Sequence, residues 1–486
     1  MKKTLCLVLC LALLSVVCPV FFTEEAAACD SGHDDYEALG YEYVDVGDYH
    51  LAVKGDEAVL LSYGGGGQDE FTFDAVVGGY RIVRVAEFAF EVNEAKKIVI
   101  PEGVEELGEG AFDQCYNLEE LVLPSSLRKI DGSFTNLPEI ERIVIPEGVE
   151  HLGTYSFESC DKLREVVLPS TLRTIDYGAF SWCSVLETVV LPEGLESIDA
   201  GIFHYCEKIK RIAIPSTVKS ILGALTMCSV PLEELTVAPG NTYVRMENGC
   251  LVTSDGVLLQ ALPAFEFPES GITTIGENAF LHATWLEEIE IPVGVTAIDN
   301  SAFSQCSDLK RVKLPEGLLS IGSSAFSSCF ELYDIELPEG LKAIGSNAFR
   351  SCYDLSELTI PSTVESIGNA AFCASGLTSA IVPDSVTAFG TSVFSSCRNL
   401  EKVRLPAGMT EIPEFTFSIS NNIKELELPA GLKTLNNDNL REMPMLERLV
   451  LPAKLESYSP GSLGFMPNLK EVVLDENNPN FYLDGF

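Results

Sequence analysis

The sequence predicts a repeat solenoid, mostly β, in which short parallel strands alternate with short helical turns on the opposite face. Two observations predict it: prolines recur every 22 to 24 residues along most of the chain, and apolar residues keep fixed positions around each proline. Because a solenoid adds length without enlarging a single core, a chain of 486 residues need not divide into several globular domains.

The repeat is clearest at Leu332, where it reads L-x-x-I-x-L-P-x-x-L-x-x-I-G-x-x-A-F-x-x-C-x-x before Leu355 begins the next copy. Its prolines form two series: Pro101, Pro124, Pro146, Pro169, Pro192, Pro215 and Pro239, then Pro292, Pro315, Pro338, Pro361, Pro383, Pro406, Pro429 and Pro452. No coil can bury its apolar residues alone, but stacked coils bury them against their neighbours. At about 4.8 Å per rung, some sixteen rungs would make a rod or arc about 80 Å long.

This pattern resembles the leucine-rich repeat of BspA-type bacterial surface proteins over roughly residues 80–475. The resemblance implies a leucine-rich-repeat arc and an exported or surface-attached adhesion module, because the family includes binders of host matrix proteins such as fibronectin and fibrinogen. Residues 47–80, which lead into the sequence G-G-Y-R-I-V at Gly78, resemble that family's N-terminal β cap. A cap is needed to cover the apolar end of the first rung.

The register of the repeat divides the rest of the chain. Residues 81–239 form a first repeat block and residues 269–475 a second, because the proline spacing between them is too long for two repeats. The intervening residues 240–268 predict a β-hairpin insert with an Asp-Gly turn at Asp255. Residues 29–46 predict an acidic flexible leader, and residues 476–486 the start of an incomplete insert or an uncapped end that would favour end-to-end self-association.

The first 28 residues have the three parts of a secretory signal peptide: a basic start at Met1-Lys2-Lys3, an apolar run and the small residues Ala26-Ala27-Ala28. The mature chain is therefore expected to be secreted or held at the cell surface. Cys29, directly after the small residues, is a candidate lipidation site, and an uncleaved anchor is the other alternative. Surface retention would then depend on Cys29 or on residues beyond Phe486.

Composition excludes one class of partner. The chain has 32 basic and 72 acidic side chains, a net charge of −40, and a field of this sign repels nucleic acid. With 46% hydrophobic residues, most of the length has enough apolar material to fold.

Cysteine occupies one position of the repeat, three residues after the phenylalanine, which we call the cysteine position. Nine cysteines lie there: Cys115, Cys160, Cys183, Cys206, Cys228, Cys306, Cys329, Cys352 and Cys397. They predict a disulfide framework or, as the periodicity favours, an inward ladder of free thiols. Free thiols on an exported protein would suggest a reducing habitat. No C-x-x-C pair is present, so no zinc site is expected.

No pattern in the sequence predicts catalysis, a metal site or a cofactor. Serine, cysteine and histidine do not form a nucleophile motif, and the carboxylates show no special pair. His204 and His282, each close to the phenylalanine of its repeat, are expected at the surface. The phenylalanine column is expected in the core: Phe112, Phe157, Phe180, Phe203, Phe303, Phe326, Phe349 and Phe394.

The strands carry two orderly outward positions. The first alternates in sign, as Lys97, Glu120, Arg142, Glu165 and later Lys402, Glu425, Arg448, Glu471, so stacked neighbours would attract. The second reads Val99, Val122, Val144, Val167 and Val190 in the first block and becomes mostly polar in the second. These valines reflect strand propensity or form an apolar docking strip on the concave face.

A solenoid presents a long surface and no enclosed pocket, which suits recognition better than chemistry. We therefore expect a binding module for an extracellular or host protein, or a glycan. The alternative is a structural or assembly protein of the bacterial surface with no soluble ligand.

Overall fold

Two rows of parallel strands, one on each side of the repeat proline, build the molecule. A computed structural model describes residues 36–64, 69–90, 93–223, 225, 232–436, 440, 443–458 and 466–474. These residues form a β-solenoid of about 17 turns, as the repeat predicted. The signal peptide, Cys29, Cys228 and residues 476–486 lie outside the described residues.

The pre-proline row contains the L-x-x-I-x-L part of each repeat, where one row was expected. Its strands are Glu70–Thr72, Lys97–Val99, Glu120–Val122, Arg142–Val144, Glu165–Val167, Thr188–Val189, Arg211–Ile214 and Glu234–Val237, then Glu288–Glu290, Arg311–Lys313, Asp334–Ile335, Ser379–Ile381, Lys402–Arg404, Glu425–Glu427, Arg448–Leu451 and Glu471–Leu474. In the repeat strands of three residues, such as Glu120–Val122 and Arg142–Val144, the middle residue is buried and its two neighbours point outward, as the two-residue period of a strand requires.

The post-proline row is a second set of strands that the proline-centred pattern did not predict. It contains Tyr80–Val85, Glu106–Leu107, Lys129–Ile130, His151–Leu152, Thr174–Ile175, Ser197–Ile198 and Ser220–Ile221, then Thr274–Ile275, Ala297–Ile298, Ser320–Ile321, Ala343–Ile344, Ser366–Ile367, Ala388–Phe389, Thr434–Leu435 and Ser457–Tyr458. Within Tyr80–Ile221, within Thr274–Phe389 and between the last two strands, neighbours in this row pair in parallel one repeat apart, as Lys129 with His151 and Ile130 with Leu152.

Hydrogen-bonded turns, rather than helical turns, connect the rows on the opposite face, and none of the described residues is helical. Each turn bonds to the next one along the stack: the Phe303 amide donates to Ala325 and the Phe326 amide to Ala348, both at 2.8 Å. Ser324 and Ser328 have φ values of 55° and 60°. Such left-handed turns need stacked hydrogen bonds between coils, which a local sequence pattern does not reveal.

The phenylalanine column forms the core beneath these turns, as predicted. All eight predicted rings are at most 1% exposed. Neighbouring rings stack: Phe303 and Phe326 have centroids 5.1 Å apart and parallel planes. Each ring therefore fills space that its neighbour leaves open, which is how successive coils share one core.

An antiparallel sheet starts the solenoid. Its strands are Glu42–Val46, Tyr49–Lys54 and Glu57–Tyr63, with the short strand Val76–Val77 beside Tyr80–Val85. Residues 42–46, which their composition assigned to a flexible leader, pair with residues 49–53 and so belong to the cap. The predicted leader therefore extends too far along the chain. Val44 and Val46 alternate with acidic residues, and this alternation is a strand pattern.

Residues 240–268 hold three antiparallel strands, Val244–Glu247, Cys250–Thr253 and Val257–Ala261, where a two-stranded hairpin was expected. The third strand pairs in parallel with Thr274–Ile275, the first rung of the second block. Leu251 and Leu259 pack in the core of the first block, whereas Val252 and Leu258 pack in the core of the second. This sheet therefore separates two cores and contributes one face to each.

Candidate binding surface

The valine strip, Val99, Val122, Val144, Val167 and Val190, lies at the outward position of the pre-proline row. Val99 stands opposite Val122 and Val144 opposite Val167 in register, while Val190 follows the strand Thr188–Val189. Exposure is 38% at Val122, 45% at Val144 and 73% at Val190. Stacking thus brings residues about 23 positions apart in sequence into adjacent pairs of solvent-facing apolar side chains.

Ion pairs run beside the strip, two residues earlier on the same face of each strand. Lys97 Nζ lies 3.5 Å from Glu120 Oε1, and Arg142 Nε lies 2.8 Å from Glu165 Oε2. The hydrogen bond that Lys97 donates to Glu70 and the negative charges of Glu120 and Glu70 raise the pKa of Lys97. The predicted pairing of alternating charges is confirmed, so the border of the strip carries neutralised pairs within a strongly acidic protein.

The second block uses the same outward position differently. There, Lys313 Nζ pairs with Glu290 at 2.5 Å, and Arg404 lies 3.1 Å from Asp384. Ile381, 57% exposed, is an apolar exception. The apolar strip is therefore a property of the first block rather than of the repeat.

The cysteine position forms a buried ladder of thiols, in agreement with the prediction that the periodicity favoured. All ten described cysteines are free, and each thiol on the ladder donates to a phenylalanine carbonyl of the preceding coil, as Cys329 does to Phe303 at 3.1 Å. Burial raises the pKa of Cys115 to about 11 and that of Cys306 to about 12. Because the thiolate is the reactive form, burial protects these thiols whatever the habitat.

Ser420 replaces cysteine in this ladder and reproduces its hydrogen bond. The Ser420 hydroxyl donates to the Phe394 carbonyl at 2.5 Å, the contact that the thiol makes elsewhere. A serine hydroxyl can therefore replace the cysteine thiol as the hydrogen-bond donor at this position.

His204 and His282 are half-buried, so the expectation that they lie at the surface is wrong. Burial lowers the pKa of His204 to about 4 and also lowers that of His282. Tyr205 lies between them, 4.2 Å from His204 and 5.8 Å from His282 between ring centroids. Tyr205 stacks on His204 and meets the His282 ring of the second block at an angle of 59°, a contact that spacing along one repeat does not show.

Sequence reasoning missed a set of exposed aromatic side chains on the turns. Tyr116, Phe330 and Tyr353, which directly follow a ladder cysteine, are 53%, 41% and 55% exposed. Their position after the cysteine, outside the apolar pattern, is the signal that could have found them.

The described part of the chain contains no group of three or more His, Cys, Asp or Glu side chains arranged to hold a metal ion. It also contains no helix with the length and apolarity to cross a membrane.

Comparisons with known proteins agree with this geometry. The family model described as BspA type leucine rich repeat region (6 copies) matches residues 78–147, 131–248, 260–377 and 365–486. No curated protein sequence matches the chain.

The chain is similar to several solved structures at low identity. A leucine-rich cell surface protein from Faecalibacterium prausnitzii is 21% identical, with 79% of this chain and 94% of that one covered and a TM-score of 0.44. The pneumococcal vaccine antigen PcpA is 18% identical, with 90% and 99% covered and a TM-score of 0.45. A leucine-rich-repeat protein from Eubacterium ventriosum is 18% identical, with 92% and 97% covered and a TM-score of 0.48. The family match spans more than half of the sequence, and the chain therefore belongs to the BspA-type leucine-rich-repeat family.

Proposed function

We propose that the protein is a cell-surface or secreted recognition module that binds an extracellular protein through the valine strip. One observation carries this proposal: Val122, Val144 and Val190 expose apolar surface in a line, where charged side chains would be the ordinary choice. Interface cores are depleted in charge and their rims are polar, and the strip with its border of ion pairs has that composition.

A protein suits the strip better than a glycan. Aliphatic side chains offer dispersion and burial but no hydrogen bonds, whereas sugars need polar groups placed for their hydroxyls. At roughly 25 cal/mol per Å², a few hundred Å² of apolar area would supply the driving force of a modest interface. A glycan partner remains an outcome that the test below can return.

The test is capture of extracellular proteins by the mature chain, compared with a variant carrying Val122→Lys, Val144→Lys and Val167→Lys. The substituted side chains point outward, so the variant is expected to fold and to lose capture by at least tenfold. A matched control carries Thr359→Lys and Ile381→Lys, two exposed side chains at the equivalent repeat position of the second block, and should capture normally. Undiminished capture by the first variant would remove the proposal.

The alternative, a structural protein of the bacterial surface, makes a different prediction. It expects assemblies of the chain itself, including end-to-end ones, in light scattering and no captured protein. Concentration-dependent growth of the scattering mass with an empty capture experiment would favour it.

Attachment to the surface is proposed through Cys29. Lipidation would place a diacylated thiol at the mature N-terminus, and one lipid-modified residue anchors a chain without a spanning segment. Mass spectrometry of the N-terminal peptide separates this from simple cleavage after Ala28.

A further inference from the structure

A notch between three successive coils of the second block is the strongest candidate for an additional site. It has a volume of about 550 Å³ and is lined by Tyr353, Ala374, Ser375, Gly376, Ser396, Arg398 and Asn399. This volume falls in the range of small-ligand sites. It lies on the turns after the cysteine position, away from the valine strip in the first block.

A missing residue creates the notch. Two residues follow the cysteine position in the flanking coils, Tyr353-Asp354 and Arg398-Asn399, but Gly376 alone follows Ser375 in the coil between them. The shortened coil is drawn inward, where the Gly376 amide donates to Cys352 at 2.9 Å. A Cβ at Gly376 would lie 2.0 Å from the Tyr353 carbonyl oxygen, so only glycine fits.

An aromatic stack ends at this gap. The Phe330 and Tyr353 rings lie parallel, with centroids 5.4 Å apart and planes 9° apart, and Tyr353 is 55% exposed. Phe330 covers the Tyr353 face toward the preceding coil. The other face is on the side of the shortened coil, where no side chain continues the stack.

The guanidinium of Arg398 lines the notch on the side of the coil that follows the shortened one. Arg398 is exposed and has no carboxylate partner among the described residues, although most basic side chains of this acidic chain are paired. Arg398 follows Tyr353 by two coils, which is about 10 Å at roughly 4.8 Å per coil. A ring midway would lie about 5 Å from each, within range of aromatic stacking and of a cation–π contact.

We propose that this notch binds an aromatic side chain of a polypeptide partner, held between the Tyr353 ring and the Arg398 guanidinium. An aromatic ring can stack on the Tyr353 ring and also make a cation–π contact with the Arg398 guanidinium. An aliphatic side chain gains nothing from Arg398, and a sugar ring stacks well on Tyr353 only. The Ser396 hydroxyl and the Asn399 amide, which line the notch, supply hydrogen bonds for the peptide that carries the ring. That the occupant belongs to a protein rests on the proposed function, but the site itself does not.

The test uses N-acetyl-Gly-Trp-Gly-amide as the probe, with the Leu and methyl glucoside equivalents beside it, followed by NMR or calorimetry. The Trp peptide should bind saturably and more tightly than the Leu peptide. Tyr353→Leu should weaken it by about three- to tenfold, and Arg398→Gln by about two- to fivefold. The matched control Tyr116→Leu removes an exposed tyrosine from the same repeat position in the first block and should change nothing.

Four outcomes overturn the inference: no saturable binding, equal binding of the Leu peptide, preferred binding of the glucoside, or unchanged affinity in Arg398→Gln. Arg398 is a surface side chain, so that variant stays informative even if Tyr353→Leu folds poorly. The triple lysine variant of the valine strip should bind the Trp peptide normally. Failure of the protein-capture experiment and failure of the notch are therefore separate results.

Discussion

The two repeat blocks have the same pattern of buried residues, but their neighbouring coils are connected differently. In the second block, the residue after the post-proline isoleucine is glycine in successive coils, and a Cβ at Gly345 would lie 2.5 Å from the backbone of the preceding coil. In the first block this position alternates between aspartate and glycine, as Asp131, Gly153 and Asp176. Four successive coils of the second block, at Gly322, Gly345, Gly368 and Gly390, therefore depend on close backbone approach, whereas in the first block the approach alternates with aspartate, as at Gly108 and Gly153.

The first block compensates on the turn after proline. Glu102 accepts hydrogen bonds from the amide and hydroxyl of Ser125, both at 3.0 Å, and Glu147 repeats the contact with Ser170 at 3.1 and 2.9 Å. Repeats that contain P-E-G at the proline alternate there with repeats that contain P-S-S or P-S-T. In the second block, Glu316 is followed by Glu339 at the equivalent position, so Glu316 has no serine to bind, and Glu339 alone repeats the contact there, with the Ser362 hydroxyl at 3.4 Å among the described residues. This difference shows that the buried residues determine the shape of each coil, whereas the exposed residues determine which hydrogen bonds connect neighbouring coils.

The largest expected effect tests whether the interior is equivalent in the two blocks. Phe157→Ala in the first and Phe326→Ala in the second should each destabilise the protein by about 3–5 kcal/mol, because each leaves a cavity in a column of stacked rings. Chemical denaturation followed by circular dichroism measures the loss. A cost below about 1 kcal/mol in one block would show that its rings are not a shared core.

The glycine column tests how closely neighbouring coils of the second block approach each other. Gly345→Ala is expected to cost about 1–3 kcal/mol, because the backbone of the adjacent coil must move. The matched control Gly317→Ala has nothing within 4 Å of its Cβ and should stay within about 0.5 kcal/mol of the parent protein. Equal effects of the two substitutions would contradict the close approach.

The thiol ladder should behave alike in both blocks. Cys329→Ser should retain about 0.5–1.5 kcal/mol more stability than Cys329→Ala, because the hydroxyl can replace the bond to the Phe303 carbonyl. Cys183→Ser and Cys183→Ala, tested in the same denaturation experiment, give the first-block comparison. An alanine variant as stable as the serine variant would show that the position needs only a small side chain.

The smallest expected effect is on the pH dependence of the protein's stability. Hydrogen bonds from Ser170 lower the pKa of Glu147, so its contribution to stability is complete above the unfolded pKa of about 4.3 and is lost as the pH falls through the lower folded value. Glu147→Gln should therefore reduce the loss of stability between neutral and strongly acidic pH. Glu316→Gln, its counterpart without the serine contact, should leave the pH profile unchanged. Identical profiles for the two variants would remove this role for Glu147.

The parts of the fold that sequence could predict are those set by residues inside one repeat. Spacing placed Phe326 and Cys329 in the core and paired Lys97 with Glu120 across coils. The post-proline strands were missed because two residues, such as Lys129–Ile130, are too short to show a strand period. Burial of His204 and the notch at Gly376 depend on neighbouring coils that differ from the consensus, and one averaged repeat hides them.

Stacking of equal coils in register can be tested most directly by removing one coil. Deletion of residues 318–340 joins Gly317 to Leu341 and restores the P-E-G-L sequence found at both positions. The account predicts a folded protein that unfolds cooperatively and keeps its circular dichroism per residue, whereas deletion of residues 318–328, half a coil, should disrupt the second block. Equal tolerance of the two deletions, or equal disruption by both, would contradict it.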